Sequence, residues 1–307
     1  MTLQNKFDLA KKRLEGGNLN EGFIAKNGNL YRAYHTNNEW EEYLSEMKRN
    51  YKSAYLEYKT GDGGELFEKR YPPKMASYGS SSRFIFELSR DIPEFHFEKK
   101  LGICVPGRNE SQEAEASLDG YLEAKCIYVE AKCREIYAVS HPEFNAKYEE
   151  YYNFLTKHTA GRFGYDLKES VNKKGEVTRK VYFSWDDKPI SRFDFKQILC
   201  HLMGIAKKTI LDKGIQCPTL LYLVYKPTDK HLGMIENKKN AESIRLCWET
   251  EKSEALTISI PLLYRCTVFY LNERKGVGNN LQPEELEHIA NSFVFRFCDQ
   301  TDYLSFL

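Results

Sequence analysis

Two short segments of the chain carry charged side chains at spacings that could bring two carboxylates and a lysine together. The first, ASLDGYL at residues 116–122, holds one carboxylate, Asp119, in an otherwise buryable stretch. The second, CIYVEAKC at residues 126–133, holds Glu130 and Lys132 two positions apart. Both segments have the composition of β-strands, in which successive side chains point to opposite faces. Glu130 and Lys132 are therefore predicted to share one face.

The few residues between the two strands predict a hairpin that brings Asp119 opposite Glu130. With either a two-residue loop at 124–125 or a four-residue loop over 123–126, facing residues have numbers that add up to 249. Directly opposed side chains have Cβ atoms about 4.5 to 5.5 Å apart, where like charges are destabilising. Lys132 cannot neutralise both carboxylates by itself. A divalent cation can, and hard oxygen ligands favour Mg²⁺, with Mn²⁺ as a substitute.

The elements that must position these residues alternate between helix and strand. Apolar spacing predicts helices over 40–58, 82–90, 148–154 and 191–213 and strands over 95–103 and 220–225. A flexible segment is predicted around Gly161, Gly164 and Gly175. A last pair of strands is predicted at ALTISIPLL and CTVFYL, followed by a helix that starts at Pro283. The fold class is therefore α/β or mixed α+β, with a central mixed sheet flanked by helices and a helical N-terminal extension.

In this context the residues resemble the PD-(D/E)xK nuclease superfamily, which has the restriction-endonuclease-like fold. Its pattern is an Asp at the end of one core strand and (D/E)-x-K on the next, here Asp119 and Glu130-Ala131-Lys132. The family's order of helix, strand, strand, strand, helix, strand is matched by FIFELSR, FHFEKKLGI, ASLDGYL, CIYVEAKC, FDFKQILCHLMGIAKK and TLLYLVY. Leu118 stands where the family name has Pro, a departure common in the superfamily. The resemblance covers about residues 82–226.

The resemblance implies roles for particular side chains. Two accessory positions also match, an acidic residue on the first helix and a Gln on the second. The implied catalytic residues are Asp119, Glu130, Lys132, Gln197 and Glu87, and the implied metal ligands are Asp119, Glu130 and the carbonyl of Ala131. Lys132 would orient or deprotonate the attacking water and stabilise the phosphorane charge.

Simpler interpretations stand beside these. Short D…E-x-K matches arise by chance, and Glu130 with Lys132 could form a surface ion pair. Glu87 could face solvent, and His201 on the second helix could be a structural histidine. Two segments are rich in lysine, 168–180 and 226–240. They are either solvated loops or loops that bind a nucleic-acid backbone.

The composition argues against several classes of protein. The 307 residues carry 45 Lys and Arg against 44 Asp and Glu, which excludes a globally polycationic surface. No apolar run approaches the roughly 18 to 20 residues of a membrane span, and no partnership with a membrane is expected. The start has no secretory pattern, so a cytoplasmic location is expected. The eight cysteines form no C-x-x-C pair and are expected to be reduced, mostly buried thiols.

These observations lead to one expected organisation and function. Residues 1–80 are predicted to be a helical extension, 81–230 a nuclease-like core, and 231–307 strands and a helix that complete the same domain. The expected activity is metal-dependent endonucleolytic cleavage of double-stranded DNA, with a homodimer as a candidate assembly. The alternatives are a non-catalytic nucleic-acid-binding module with the same fold and an unrelated structural α/β protein.

Overall fold

A computed structural model describes most of the chain. The described residues are 25–26, 29–30, 37–61, 65–66, 73–77, 79–107, 112–133, 141–171, 175–214, 216–233 and 238–307. At the N-terminal end two short antiparallel strands pair with each other, β1 (Ala25–Lys26) and β2 (Asn29–Leu30).

The centre of the molecule is a mixed five-stranded sheet. Its strands are β3 (Phe95–Pro106), β4 (Glu113–Leu122), β5 (Ile127–Lys132), β9 (Thr219–Val224) and β10 (Val294–Cys298). The order across the sheet is β10-β9-β5-β4-β3, with β10, β9 and β5 parallel and β5, β4 and β3 antiparallel. Because β5 and β9 are covered on both faces, their side chains are almost all buried, as expected of central strands.

A second sheet is inserted between β5 and the next strand of the main sheet. It consists of β6 (Phe163–Val171), β7 (Val177–Trp185) and β8 (Lys188–Pro189), all antiparallel. The prediction of a flexible segment here was wrong. Phe163 at the start of β6 and Phe183 and Trp185 on β7 are buried in the core, so this end of the hairpin gains hydrophobic stabilisation.

Helices cover both faces of the main sheet. They are α1 (Asn37–Asn50), α2 (Lys52–Thr60), α3 (Ser81–Ser89), α4 (Glu149–His158), α5 (Phe195–Leu211), α6 (Asp229–Gly233), α7 (Lys238–Thr257), α8 (Ile260–Lys275), α9 (Pro283–Asn291) and α10 (Tyr303–Phe306). None of the helices in the described ranges has the length and hydropathy of a membrane-spanning segment.

Two hydrophobic clusters lie on opposite faces of the sheet. Tyr128 of β5 packs in the first cluster with α4, α5, α8 and α9, whereas Ile127 and Val129 pack in the second with α1, α2 and α3. Gly204 lets α5 approach the sheet closely, since a Cβ there would lie 2.7 Å from the Cβ of Leu101. The alternation predicted for β5 is confirmed. The result is a helix–sheet–helix sandwich of mixed α/β class.

The strand pair predicted at ALTISIPLL and CTVFYL was wrong, because these residues form the end of α7, the two-residue connection 258–259 and α8. The buried positions of α8 include 260, 263, 264, 267, 268 and 271, which follow the helical period of 3.6 rather than the strand period of 2. Pro261 lies in the first turn, where proline suits a helix. The described residues after 231 therefore form helices and one strand, β10, which extends the main sheet.

Within the predicted N-terminal extension, 1–80, the described residues form the helices α1 and α2 and also the two short strands β1 and β2. The predicted helix over 40–58 is two helices, α1 and α2, separated at Tyr51. Their buried side chains, including Met47, Ala54 and Tyr58, pack against α3 and the sheet in the second cluster. Most of the first 36 residues of this predicted extension lie outside the described residues.

Candidate active site

The candidate site begins where the hairpin of β4 and β5 opens. The two strands pair at Leu122 with Ile127, Tyr121 with Tyr128, and Gly120 with Val129. These numbers add up to 249, so the predicted register is confirmed. The turn uses the four-residue alternative, a 3₁₀ turn over Glu123–Lys125 followed by a residue with φ of 51° at position 126.

Asp119 lies one residue beyond the last paired position of β4. Its Oδ2 accepts a hydrogen bond of 2.7 Å from the backbone N–H of Ala131, so a side chain continues the contact where the backbone pairing ends. The strand is irregular here. Leu118 faces the first hydrophobic cluster, Tyr121 faces the same cluster, and Leu122 faces the second. Regular alternation would place Tyr121 on the face of Asp119 and opposite Leu118, so the alternation of β4 changes phase at this point.

The neighbouring strand has a matching irregularity at Glu98. This residue of β3 stands across from Asp119 and has φ of 56°, the left-handed region that a non-glycine residue seldom adopts. Backbone strain of this kind concentrates at functional positions. The charge of Glu98 also raises the pKa of Asp119.

Glu130 lies between Lys132 and His201 on the face that meets α5. Its Oε1 lies 3.0 Å from Lys132 Nζ, and its Oε2 accepts a hydrogen bond of 2.9 Å from His201 Nε2. Glu130 is 2% exposed, so these partners replace water almost entirely. The predicted shared face of Glu130 and Lys132 is confirmed.

Lys132 is surrounded by acceptors. Besides Glu130, its ammonium contacts Oε1 of Gln197 at 2.5 Å and Oδ2 of Asp194 at 3.1 Å. Both residues are at the start of α5, where Asp194 caps the helix by accepting from the N–H of Gln197 with Oδ1. The ammonium is therefore fixed by three groups on two elements.

The pKa values of the two carboxyl groups are shifted in opposite directions. Burial, then the charges of Glu130 and Glu98, hold the pKa of Asp119 well above its usual value. For Glu130, burial alone would raise the pKa, but Lys132 and His201 outweigh it and hold the pKa below its usual value. Asp119 is thus the carboxyl that favours a proton or a cation, and Glu130 is the one that stays ionised.

Of the predicted residues, Glu87 lies in different surroundings. It is on α3, on the face of the sheet opposite α5, and its Oε1 accepts a hydrogen bond of 2.8 Å from the hydroxyl of Tyr43. Its Oε2 lies 3.6 Å from Arg90 Nη1. The structure brings together Asp119, Glu130, Ala131, Lys132 and Gln197, and it ties Glu87 to α1 and to its own helix.

Sequence reasoning missed two acidic residues near Lys132. Asp194 had a usable signal, because Asp directly before an apolar helical run is a common N-cap. Glu251 on α7 had none. It is fully buried, accepts a hydrogen bond of 2.5 Å from the hydroxyl of Tyr222, and burial raises its pKa to about 7.

The oxygen atoms at this site are of the kind that bind a hard divalent cation. Oδ1 of Asp119 has no hydrogen-bond partner among the described residues, and the neighbouring Glu130 adds a second carboxylate. No cluster of three or more Asp, Glu, His or Cys side chains placed to hold a metal occurs in the described ranges. The fit therefore depends on two carboxylates and a backbone carbonyl, the set that the family resemblance implies.

Comparisons of the chain with protein-family models, with curated proteins and with solved structures find no match. The chemistry has to be inferred from the site itself. A raised-pKa carboxyl, an ionised carboxylate and a fixed ammonium meet at one end of β5, an arrangement that can bind a cation and position a polar substrate.

Proposed function

We propose that this protein is a metal-dependent endonuclease with a restriction-endonuclease-like core, which hydrolyses phosphodiester bonds of double-stranded DNA. The observation that carries this proposal is the meeting of Asp119, Glu130 and Lys132 where β4 and β5 separate. The element order α3, β3, β4, β5, α5, β9 supports it, because this order agrees with the core order of that superfamily once α4 and the inserted strands β6 to β8 are set aside.

The proposed cofactor is Mg²⁺, with Mn²⁺ as a substitute. Asp119, Glu130 and the carbonyl of Ala131 would hold it. When bound, such an ion lowers the pKa of water and stabilises the leaving oxygen of an in-line displacement. Asp119 supports this assignment because a cation would relieve the repulsion that raises its pKa.

Lys132 supplies the positive charge for the phosphoryl group. Hydrolysis forms a bond from water oxygen to phosphorus and breaks the bond to the leaving oxygen, with extra negative charge on the phosphorane. An ammonium at this point stabilises that charge and orients the attacking water. Its contacts with Gln197 and Asp194 restrict its position before substrate arrives.

His201 acts through Glu130. By donating to Oε2, the imidazole restricts the rotation of the carboxylate and leaves Oε1 on the side of Lys132. Second partners of this kind commonly orient metal-binding carboxylates. His201 is therefore a positioning residue of the proposed site, not a structural histidine unrelated to it.

Cleavage of plasmid DNA in Mg²⁺, in Mn²⁺ and in chelator tests the proposal. Lys132→Ala would leave Glu130 and Asp194 without their cation and so destabilise the fold, since breaking a buried pair costs about 3 to 5 kcal/mol. Asp119→Asn is the better variant, because it removes a charge that the fold disfavours. We expect it to lose about 10² to 10⁴-fold in cleavage rate.

The matched control is Glu115→Gln, which removes an exposed carboxylate from the same strand. It should cut at the wild-type rate. Metal-dependent cutting by wild type that survives in Asp119→Asn would contradict the assigned site. A wild-type protein that binds duplex DNA but cuts none in either metal would instead identify a non-catalytic binding module.

A further inference from the structure

Two lysines converge on one tryptophan beside the proposed site. Lys226 Nζ lies 4.8 Å and Lys252 Nζ lies 5.1 Å from the centroid of the Trp248 ring. The two ammonium groups are therefore within about 10 Å of each other. Trp248 is 3% exposed and packs edge-on against Phe297 of β10, so the ring is a fixed support for both cations.

The position of Lys226 is set by the carboxyl edge of the sheet. Tyr225, the residue before it, donates its backbone N–H to the carbonyl of Lys132 at 2.8 Å. The side chain of Gln300 then holds Lys226 by two bonds, accepting from its N–H at 2.8 Å and donating to its carbonyl at 2.7 Å. Lys226 thus begins where the strand beside Lys132 ends. Ligands of parallel sheets bind at this edge.

The described acidic residues around the two lysines do not pair with them, so both ammonium groups are available to an anion. Among the described residues, neither Lys226 nor Lys252 forms an ion pair. The nearby buried carboxylates have other partners: Glu251 accepts from Tyr222, and Asp299 accepts from the N–H and hydroxyl of Thr301. Glu249, one turn before Lys252, is exposed to solvent.

The aromatic support also carries an unused donor. The indole Nε1 of Trp248 is buried and has no hydrogen-bond partner among the described residues. An unsatisfied buried donor usually marks a missing acceptor. The two ammonium groups beside this ring are donors that no carboxylate of the described residues pairs with, and such donors suit a phosphate.

We propose that Lys226 and Lys252, supported by Trp248, bind a backbone phosphate of duplex DNA that flanks the scissile phosphate. This inference rests on the proposed function for its choice of polyanion. Lysine binds phosphate as a point charge and sets the position of the duplex without reading its sequence. The site would therefore position any duplex so that a neighbouring phosphate reaches Lys132.

Binding of a fluorescent duplex in chelator tests this inference apart from catalysis. The test protein is the double variant Lys226→Gln/Lys252→Gln, and the matched control is Lys52→Gln/Lys213→Gln, which removes two exposed lysines elsewhere. Because the test variant no longer neutralises the phosphate that the two ammonium groups bind, its slope of log affinity against log salt should be shallower by about 0.9. Affinity at 0.1 M salt should fall about tenfold or more in the test variant and stay at the wild-type value in the control.

Tryptophan emission gives a second readout. The chain has three tryptophans, and the difference between wild type and Trp248→Phe isolates the signal of Trp248. Duplex should change this signal in wild type and not in the double variant. Inorganic phosphate and anionic vesicles are the comparison ligands. A response to either of these without a response to duplex would overturn the inference.

The outcomes separate this inference from the proposed function. Equal affinity and equal salt slope in the double variant and wild type would overturn the phosphate site, and plasmid cutting by wild type would still support the nuclease. Duplex binding that depends on both lysines, in a protein that cuts nothing, would support the phosphate site and overturn the nuclease.

Discussion

Of the two predicted metal-binding carboxylates, Asp119 is the one whose ionisation destabilises the fold. Its raised pKa means that the folded protein binds this proton more tightly than the unfolded chain does. The stability that the protonated carboxyl contributes is present below its unfolded pKa of about 3.9 and is lost as the pH rises through the folded pKa. The ionised side chain therefore weakens the metal-free protein at neutral pH.

Asp119→Asn should reverse this effect. The amide oxygen can still accept from the N–H of Ala131, and the repulsion with Glu130 and Glu98 disappears. In chelator at pH 7 the variant should be more stable than wild type by up to about 1 kcal/mol, and the difference should vanish below about pH 3.9. Urea unfolding across a pH series measures it.

The same variant should respond less to metal. Binding to the native state alone stabilises by RT ln(1 + [L]/Kd), so loss of one ligand reduces the rise in Tm on addition of Mg²⁺ or Mn²⁺. Lower stability than wild type in chelator, together with an unchanged metal shift, would mean that the two carboxylates do not share a site.

Glu251 predicts a pH dependence of its own. Burial raises its pKa from 4.5 to about 7, so its protonated form stabilises the fold below pH 4.5 and that contribution is lost between about pH 4.5 and pH 7. Glu251→Gln keeps an acceptor for Tyr222 and cannot ionise. It should be more stable than wild type at pH 8, by at most roughly 3 kcal/mol, and equal to it near pH 4.

Glu254, one turn later on α7, is the control with the opposite expectation. Its carboxylate accepts from the N–H groups of Ser191, Arg192 and Phe193 at 2.8 Å and from the Ser191 hydroxyl at 2.7 Å. Glu254→Gln places a donor against donors and should destabilise by about 1.5 to 3 kcal/mol, as for hydrogen bonds to charged groups. A Glu254→Gln protein that is as stable as wild type at pH 8 would refute the distinction.

At the scale of elements, the start of α5 joins helix capping to the site. Asp194 uses Oδ1 to cap the helix and Oδ2 to hold Lys132. Burial opposes ionisation, but the charge of Lys132 keeps the pKa of Asp194 below its usual value. One side chain therefore sets both where the helix begins and where the ammonium lies.

Asp194→Asn separates these two roles. The amide oxygen can still cap the helix. The free energy of unfolding, measured by thermal melts, should therefore stay within about 1 kcal/mol of the wild-type value. The ammonium loses a charged neighbour, so the cleavage rate should fall by up to about 10²-fold, as small displacements of catalytic groups do. Asp194→Ala, which removes the cap as well, should lower the free energy of unfolding by about a further 1 kcal/mol. A full cleavage rate in Asp194→Asn would show that Lys132 does not depend on this contact.

At the scale of the whole molecule, the last helix ties the end of the described chain to α3. Tyr303 is fully buried in the second hydrophobic cluster, and its hydroxyl lies 2.8 Å from Ser89 Oγ. The residues after β10 thereby close the face of the sheet that carries α1, α2 and α3.

Tyr303→Ala should destabilise the protein by about 3 to 5 kcal/mol, the usual cost of truncating a buried aromatic residue. Tyr303→Phe keeps the ring and leaves the Ser89 hydroxyl without this partner, so it should cost about 1 to 3 kcal/mol. Urea unfolding of both variants measures the difference. A Tyr303→Ala protein as stable as wild type would mean that this helix is not part of the cooperative fold.

Short-range information in the sequence was enough for the hairpin. Asp119 and Glu130 are eleven positions apart, so strand alternation and a short turn determined their register, and the register is confirmed. The central strands and the α5 helix could also be predicted, because each has a clear apolar period. The error in α8 has a physical reason as well. Its β-branched and aromatic residues favour strands locally, and packing among α5, α9 and the sheet decides for a helix.

Only the tertiary structure decided what surrounds the charged residues. His201 and Asp194 reach Glu130 and Lys132 across 71 and 62 positions of sequence, and Gln300 reaches Lys226 across 74. No periodicity encodes such contacts, because they depend on which helix packs on which face of the sheet. Burial likewise sets the direction of each pKa, raising that of Asp119 while ion pairing lowers that of Glu130. The residue types determined which chemistry was available, and packing decided which groups meet, because charge interactions depend on distance and on exclusion of water.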